Sequence, residues 1–217
     1  MNKRTVIISG GLLEEEFALG ILKAEETELI VGVDKGLEFL YQHEILPDYI
    51  VGDFDSVSEE VITYYKEETK VPVREFNPVK DASDTEIALR MCLDLHRQHI
   101  LILGATGSRI DHVWANVQAL KLALDAGSDA RIIDSHNQIR LLKESFVLRK
   151  EEAYGPYFSV FPLGGDVEDF NLNGAKYPLK HHILTAGDSL CVSNQIEEDE
   201  VEISFPFGVV ILMETRD

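Results

Sequence analysis

The sequence predicts an α/β protein in two parts: a mostly parallel α/β sheet domain, followed by a smaller antiparallel β-sandwich. Up to about residue 128, nearly continuous apolar runs alternate with segments of helical periodicity, which is typical of a parallel sheet covered on both faces. Beyond that point, short alternating runs replace the long amphipathic segments, as in antiparallel sandwiches. We therefore predict an α/β domain over residues 1–140 and a β-sandwich over residues 141–217.

The predicted elements of the first domain follow from its apolar runs. Five runs predict strands over residues 5–10, 28–34, 49–53, 71–76 and 99–104. Helical segments separate them, such as residues 84–98, where Ile87, Ala88, Met91 and Leu95 fall on one face. In such a Rossmann-like sheet, ligands gather at the carboxyl ends of the strands. In the second domain, VEISF and VVILME flank PFG and predict a hairpin.

Composition excludes several classes of function. The chain has 217 residues, of which 45% are hydrophobic, and its 20 Lys and Arg against 39 Asp and Glu give a formal charge of −19. This acidity argues against nucleic-acid binding, because phosphate contacts need a basic surface. No apolar run is long enough for a membrane span or a signal peptide, which predicts a cytoplasmic protein without membrane partners. Cys92 and Cys191 lack paired spacing and are expected to be core thiols.

The stretch IVGDFDSV places Asp53 and Asp55 directly after an apolar run. If the strand continued through both, their carboxylates would leave the same face and repel each other. A hard divalent cation such as Mg2+ would neutralise such a pair, since Mg2+ prefers oxygen ligands. The other reading is a solvated turn in which the aspartates serve local backbone hydrogen bonds.

Residues 80–86, KDASDTE, mark the start of the next helix. Ser83 and Glu86 have the spacing of a capping box. Capping leaves Asp81 unexplained, and Asp84 either favours the helix dipole or ligates a metal. The free N–H groups at the same helix start also suit a phosphate.

Residues 104–112, GATGSRIDH, link an apolar strand to a long helix. Gly104 and Gly107 would let backbone N–H groups approach a polyphosphate, and the guanidinium of Arg109 suits phosphate oxygens. The loop lacks the GK[ST] ending of a P-loop. Asp111 is either the helix N-cap or a site residue, and Trp114 in the following helix is expected in the core.

The stretch GVDKG repeats the pattern of a polar pair after a strand. Asp34 and Lys35 are either a cap and a surface lysine or, if a nucleotide crosses the strand ends, residues that meet its phosphates. All four polar stretches therefore follow strands of one predicted sheet.

In this order and spacing, VDKG, GDFDS, KDASDTE and GATGSRIDH resemble the thiamine pyrophosphokinase family. The resemblance continues into GAKYPL, residues 174–179, and VSN, residues 192–194. It implies an N-terminal ATP-binding catalytic domain, a C-terminal thiamine-binding β-sandwich, and a homodimer with active sites between subunits. The expected reaction is Mg2+-dependent transfer of the pyrophosphoryl group of ATP to thiamine.

The resemblance also implies roles for individual residues. Asp53, Asp55 and Asp84 are expected to organise Mg2+, with Arg109 and Asp111 serving as polyphosphate and catalytic residues. Asp34, Lys35, Asp81, Gly104 and Gly107 are expected to contact the nucleotide. Tyr177, Ser193 and Asn194 are expected to bind thiamine, with the Tyr177 ring stacking on it. The chain departs from the family pattern at Lys35, where many relatives have glycine, and at Gln195, where many bacterial members have glutamate.

Two other functions fit parts of the sequence. DFDSV matches the DxDx[TV] pattern of phosphatases, in which Asp53 would form an aspartyl-phosphate. That interpretation leaves GATGSRIDH unexplained. The second alternative is a non-catalytic protein that senses nucleotide or divalent ions.

Overall fold

The computed structural model describes residues 3–75 and 82–217. The chain divides into two compact units, Met1–Ser135 and His136–Asp217. The first is an α/β unit and the second is built from antiparallel strands, which confirms the fold class expected from the sequence. Among the described residues, every helix is too short or too polar to cross a bilayer.

The first unit is organised around a six-stranded parallel sheet. Its strands are β1 (Arg4–Ile8), β2 (Thr27–Val33), β3 (Tyr49–Gly52), β4 (Val73–Glu75), β5 (His99–Leu103) and β6 (Asp129–Ile133). They lie in the order β6-β5-β1-β2-β3-β4, and every neighbouring pair is parallel. The chain runs outward from β1 in one direction to β4 and in the other through β5, so β1 and β5 border the point where strand order reverses. Such points are where ligands bind to open α/β sheets.

In the described part of the first unit, five α-helices accompany this sheet: α1 (Glu15–Leu22), α2 (Gly36–Gln42), α3 (Glu59–Thr63), α4 (Asp84–Asp94) and α5 (Ile110–Asp125). A π-helical turn, Tyr64–Glu68, continues α3. Helix α5 buries Val117, Leu120 and Ala123 at helical spacing. The helix ends at Asp125, and Gly127 follows the C-cap with the positive φ and the N–H bond to the carbonyl of Leu124 that a Schellman motif has.

Helix α5 corrects two expectations. Trp114 is 49% exposed rather than buried, because it lies on the face of the helix opposite the buried residues. The N-cap is Arg109 rather than Asp111, because the helix already begins at Ile110. Asp111 therefore lies within the first turn, where a carboxylate interacts favourably with the helix dipole.

The second unit contains two antiparallel sheets. Its strands are β7 (Asn137–Leu142), β8 (Phe146–Arg149), β9 (Tyr157–Pro162), β10 (Val167–Asn173), β11 (Leu179–Leu184), β12 (Asn194–Gln195), β13 (Glu200–Ser204) and β14 (Val210–Thr215). One sheet has the order β12-β9-β14-β7, and the other β11-β10-β13-β8. Buried side chains from both, including Phe158, Phe170, Ile203 and Leu212, form one core. This common core makes the unit a sandwich.

The hairpin expected around PFG is not formed. Strand β13 pairs with β8 and β10, whereas β14 pairs with β7 and β9. Pro206, Phe207 and Gly208 therefore connect two different sheets, and Gly208 adopts a positive φ at this crossing. Alternating polarity correctly predicts both strands, but it carries no information about which strand each one pairs with.

Candidate active site

A cleft of about 350 Å³ lies at the carboxyl edge of the parallel sheet in the first unit. The loops that follow β1, β2 and β5 line it, together with the first turns of α4 and α5. Ser56, in the loop after β3, also lines the cleft, so four of the six described strands end at this site. The location is the one predicted from the strand ends.

Three carboxylates meet at this edge. Asp34 follows β2, Asp53 follows β3 and Asp84 is the first residue of α4. One oxygen from each lies within 4.8 Å of the others, and all three residues are partly buried. Three like charges this close are costly without a cation, so the group has the donor set of a hard divalent ion.

Asp34 is held in this group by unusual local structure. Its φ is 43°, and its N–H donates to the carbonyl of Val51 at 3.2 Å. Its Oδ1 lies over Gly52, where an added Cβ would come within 1.9 Å of it. Within the described residues, that buried Oδ1 has no hydrogen-bond partner. Burial, followed by the neighbouring Asp84, raises the pKa of Asp34 to about 7.

Asp55 lies outside the three-carboxylate group. Strand β3 ends at Gly52, and Phe54 adopts a φ of 63°, so the chain turns before Asp55 and the strand alternation does not reach it. Asp55 is exposed, and its N–H donates to Oδ1 of Asp53 at 3.2 Å. The acidic partner that the structure brings to Asp53 and Asp84 is Asp34, which the sequence had placed with the nucleotide.

The glycine loop after β5 packs on the loop after β1. Gly11 donates its N–H to the carbonyl of Gly104, and Leu12 donates to that of Thr106, both at 2.7 Å. A Cβ on Gly104 would lie 2.1 Å from the carbonyl oxygen of Ser9, and the φ of Gly104 is 65°. Only glycine fits this close approach of two backbones.

Arg109 and Asp111 form an exposed pair at the start of α5. The Arg109 Nη2 lies 2.6 Å from Asp111 Oδ2. This bond is the main cause that lowers the pKa of Asp111 to about 2, and it raises the pKa of Arg109. Arg109 and His112 line the cleft, and the guanidinium is at the surface, where it is accessible to an anion.

The first turns of α4 and α5 both line the cleft. Ser83, Asp84 and Thr85 line it from α4, and Ser83 caps that helix by accepting the N–H of Glu86 at 3.3 Å, as its spacing predicted. Helix N-termini favour anions. Lys35, exposed and also lining the cleft, adds a positive charge. Asp81 lies outside the described residues.

Sequence reasoning missed several residues of the cleft. Ser9 follows β1 and is hydrogen-bonded to Thr85 at 2.9 Å, which ties the sheet to the start of α4. Asn116, buried in α5, donates to the carbonyl of Ala105 at 2.9 Å and so fixes the glycine loop. The sequence already places the SGG stretch of Ser9 at the carboxyl end of a predicted strand, although it assigns Ser9 no role, whereas nothing in the helix sequence distinguishes Asn116.

The residues expected to bind thiamine lie together in the second unit. Tyr177 is 55% exposed, Ser193 is exposed with a φ of 53°, and Asn194 is fully buried. Ser193 donates its N–H to Ser159 Oγ at 3.0 Å. The Lys176 ammonium lies 5.6 Å from the centre of the Tyr177 ring, so this ring already carries a cation near it.

Family models match both units. Residues 22–132 match the thiamin pyrophosphokinase catalytic domain, and residues 145–210 match the thiamin pyrophosphokinase vitamin B1 binding domain. The first match covers the strand ends that carry Asp34, Asp53, Asp84 and Arg109. The second covers Tyr177, Ser193 and Asn194.

Whole-chain comparisons agree with the family models. A thiamine pyrophosphokinase of Bacillus subtilis (strain 168) is 31% identical over 193 residues, which cover 89% of this chain and 90% of the relative. The crystal structure of a thiamine pyrophosphokinase from Bacillus subtilis covers 99% of this chain and 100% of its own, with a TM-score of 0.88 and 31% identity. That of a thiamin pyrophosphokinase from Geobacillus thermodenitrificans covers 100% and 98%, with a TM-score of 0.83 and 30% identity. The chain belongs to the thiamine pyrophosphokinase family of enzymes.

Proposed function

We propose that this enzyme transfers the pyrophosphoryl group of ATP to the hydroxyl of thiamine, giving thiamine diphosphate and AMP in an Mg2+-dependent reaction. The observation that carries the proposal is the meeting of Asp34, Asp53 and Asp84 beside a glycine-lined cleft, in a chain of this family. The catalytic role belongs to the domain expected over residues 1–140, and thiamine binding to the domain over residues 141–217.

The carboxylate group fits Mg2+. It offers only hard oxygen donors, and the buried Oδ1 of Asp34 has no hydrogen-bond partner among the described residues. Asp53 and Asp84 hold the ion together with Asp34, and Asp55 stays a predicted ligand from the adjoining turn. When bound, Mg2+ supplies charge neutralisation for the phosphate oxygens.

The remaining cleft residues bind and orient the polyphosphate. Gly104 and Gly107 allow a close backbone approach, while Arg109 and Lys35 supply positive charge. We assign Asp81 and Asp111 to the same nucleotide-binding set, with Asp111 holding the guanidinium of Arg109 in place. In this arrangement the primary alcohol of thiamine attacks the β-phosphorus of ATP, and AMP leaves in line. Such transfers depend mainly on positioning and charge neutralisation.

Thiamine binds through the second unit. The exposed ring of Tyr177 stacks on it and attracts its positive charge, and exposed Ser193 is available as a hydrogen-bonding group. We further propose a homodimer with active sites between subunits, in keeping with the exposed Tyr177, Ile183, Leu190 and Val192 on the second unit. The two free, buried thiols are in keeping with a cytoplasmic location.

The test is to incubate the purified chain with ATP, MgCl2 and thiamine and to separate the products by chromatography. We expect AMP and thiamine diphosphate in equal amounts, and neither when thiamine is omitted or EDTA is added. ADP with thiamine monophosphate would contradict the proposed transfer. Phosphate release without thiamine and a phosphorylated Asp53 would instead indicate the phosphatase alternative, which the family matches do not support.

A further inference from the structure

Asn194 has a fully buried side chain at the start of the short strand β12. Its Oδ1 accepts the N–H of Tyr177 at 3.0 Å and that of Gln195 at 2.9 Å. Its Nδ2 donates to the carbonyl of Tyr177 at 2.9 Å. One side chain therefore binds both backbone polar groups of Tyr177, as a neighbouring strand would.

Backbone bonds on either side continue this attachment. Lys176 donates its N–H to the carbonyl of Gln195 at 2.9 Å, and Ala175 forms an antiparallel bridge with Ile196. The segment that carries Tyr177 is thus fastened along β12 and the residues that follow it. The Tyr177 ring nevertheless remains 55% exposed, so its backbone is fixed while its aromatic face is presented to solvent.

These contacts change the role expected for Asn194. The Asn194 Oδ1 already accepts two hydrogen bonds, one Nδ2 N–H is used as well, and the side chain is fully buried, so its polar atoms are directed to the backbone and not to a ligand at the surface. We propose that Asn194 is a positioning residue that fixes the backbone of Tyr177, and so places its ring for stacking on thiamine, rather than a group that contacts thiamine itself. This inference rests on the proposed function, because it concerns the proposed binding site for thiamine.

A double-mutant cycle tests the inference through the KM for thiamine. In Asn194→Ala we expect KM for thiamine to rise roughly tenfold, with kcat and the KM for ATP unchanged, because only the stacking platform is lost. Tyr177→Leu should raise the same KM. In the double variant the KM should match that of Tyr177→Leu alone, because Asn194 acts through the ring. Additive effects would overturn the inference, since they would make Asn194 a separate ligand.

Asn171→Ala is the matched control. Asn171 also bridges backbone groups in the second unit, since its Nδ2 donates to the carbonyl of Asp169 at 2.7 Å and its Oδ1 accepts the N–H of His181 at 2.8 Å. We expect this variant to lower thermal stability and to leave KM for thiamine at the wild-type value. A rise in KM as large as that of Asn194→Ala would mean that any loosening of the unit gives the effect, which would also overturn the inference.

Hydrogen exchange of the unmodified protein provides a test that does not depend on variant folding. The Tyr177 amide should exchange slowly, although its ring is exposed, because its acceptor is a buried oxygen. Exchange as fast as that of an unprotected loop amide would contradict the geometry. The proposed function fails separately, if the wild-type chain forms no thiamine diphosphate at all.

Discussion

The two units hold their candidate site residues by opposite means. In the first unit, three carboxylates from separate elements converge, those of Asp34, Asp53 and Asp84. Repulsion between these like-charged groups destabilises their convergence. In the second, Tyr177 is presented by a single buried amide whose hydrogen bonds support the arrangement. Removing a carboxylate from the first site should therefore cost function and little stability. Removing the amide from the second should cost both substrate affinity and stability.

The largest expected effect is that of Asp53→Asn. We expect turnover to fall by about two to four orders of magnitude, because the variant loses the carboxylate charge proposed to bind Mg2+. The melting temperature should stay within about 2 °C of wild type or rise, since repulsion among the three acids is relieved. Assays with saturating ATP and thiamine measure the turnover, and scanning calorimetry measures the melting temperature.

Asp125→Asn is the control for that substitution. Asp125 is an exposed carboxylate paired with Lys121 at 2.6 Å at the end of α5. It should retain wild-type turnover. Near-normal turnover in Asp53→Asn would refute the assignment of the site.

A second experiment disturbs the first unit without touching a carboxylate. In Gly52→Ala the new Cβ would collide with Asp34 Oδ1, so the Asp34 carboxylate must shift from its place beside Asp53 and Asp84 or the backbone must give. We expect a loss of about 1–3 kcal/mol in the free energy of unfolding, and a rise of roughly tenfold in the Mg2+ concentration needed for half-maximal activity.

Gly20→Ala provides the matched comparison, because no atom lies within 4 Å of its added Cβ in α1. Helix propensity predicts a gain of up to about 1 kcal/mol there, with an unchanged Mg2+ requirement. An unchanged Mg2+ requirement in Gly52→Ala would show that the position of Asp34 does not matter for metal binding.

A third experiment compares Asp34 with Asp55. Because Asp34 lies in the three-carboxylate group and Asp55 does not, Asp34→Asn should raise the Mg2+ requirement roughly tenfold more than Asp55→Asn. Titration of activity with MgCl2 at fixed ATP gives the ratio. The reverse order would make Asp55 a more important metal ligand than Asp34, as the sequence motif alone suggests.

The smallest expected effect compares thiol reactivity in the two units. Cys92 in α4 and Cys191 in the second unit are fully buried, and burial raises the pKa of each thiol to about 12. Because burial suppresses ionisation of both thiols, alkylation should be slow until the chain opens. We expect Cys191 to react several-fold faster, because its neighbours Leu190 and Val192 are exposed. Isotope-coded alkylation with peptide mass spectrometry measures both rates, and equal rates would remove this difference between the units.

Local patterns were enough to predict most of the fold. The apolar runs at β1, β2, β3 and β5 predict a parallel sheet because such strands are buried on both faces. The pairing of β13 and β14 could not be predicted, since each strand finds its partners far along the chain. The prediction that Trp114 lies in the core was wrong, because it was based on residue type, and residue type alone does not determine which face of a helix a side chain occupies.

The site was only partly predictable for a similar reason. Motifs identified Asp53 and Asp84, but the inclusion of Asp34 depends on the neighbouring positions of β2 and β3 and on the turn at Phe54. A prediction that β2 and β3 are neighbours in the sheet would have placed Asp34 beside Asp53, because each residue follows one of these strands. For Asn194, sequence can show a polar residue beside a strand, but it cannot show which backbone groups a buried amide will meet.

The central place of β1 has a consequence for how the chain acquires its structure. Val6 pairs on one side with Ile30 and on the other with Leu101. The edge of β1 that pairs with β5 therefore stays uncovered until β5 has been synthesised. Pairing between strands that are far apart in the sequence slows folding. Until β5 pairs with β1, the unpaired edge of β1 is exposed to pairing with other chains.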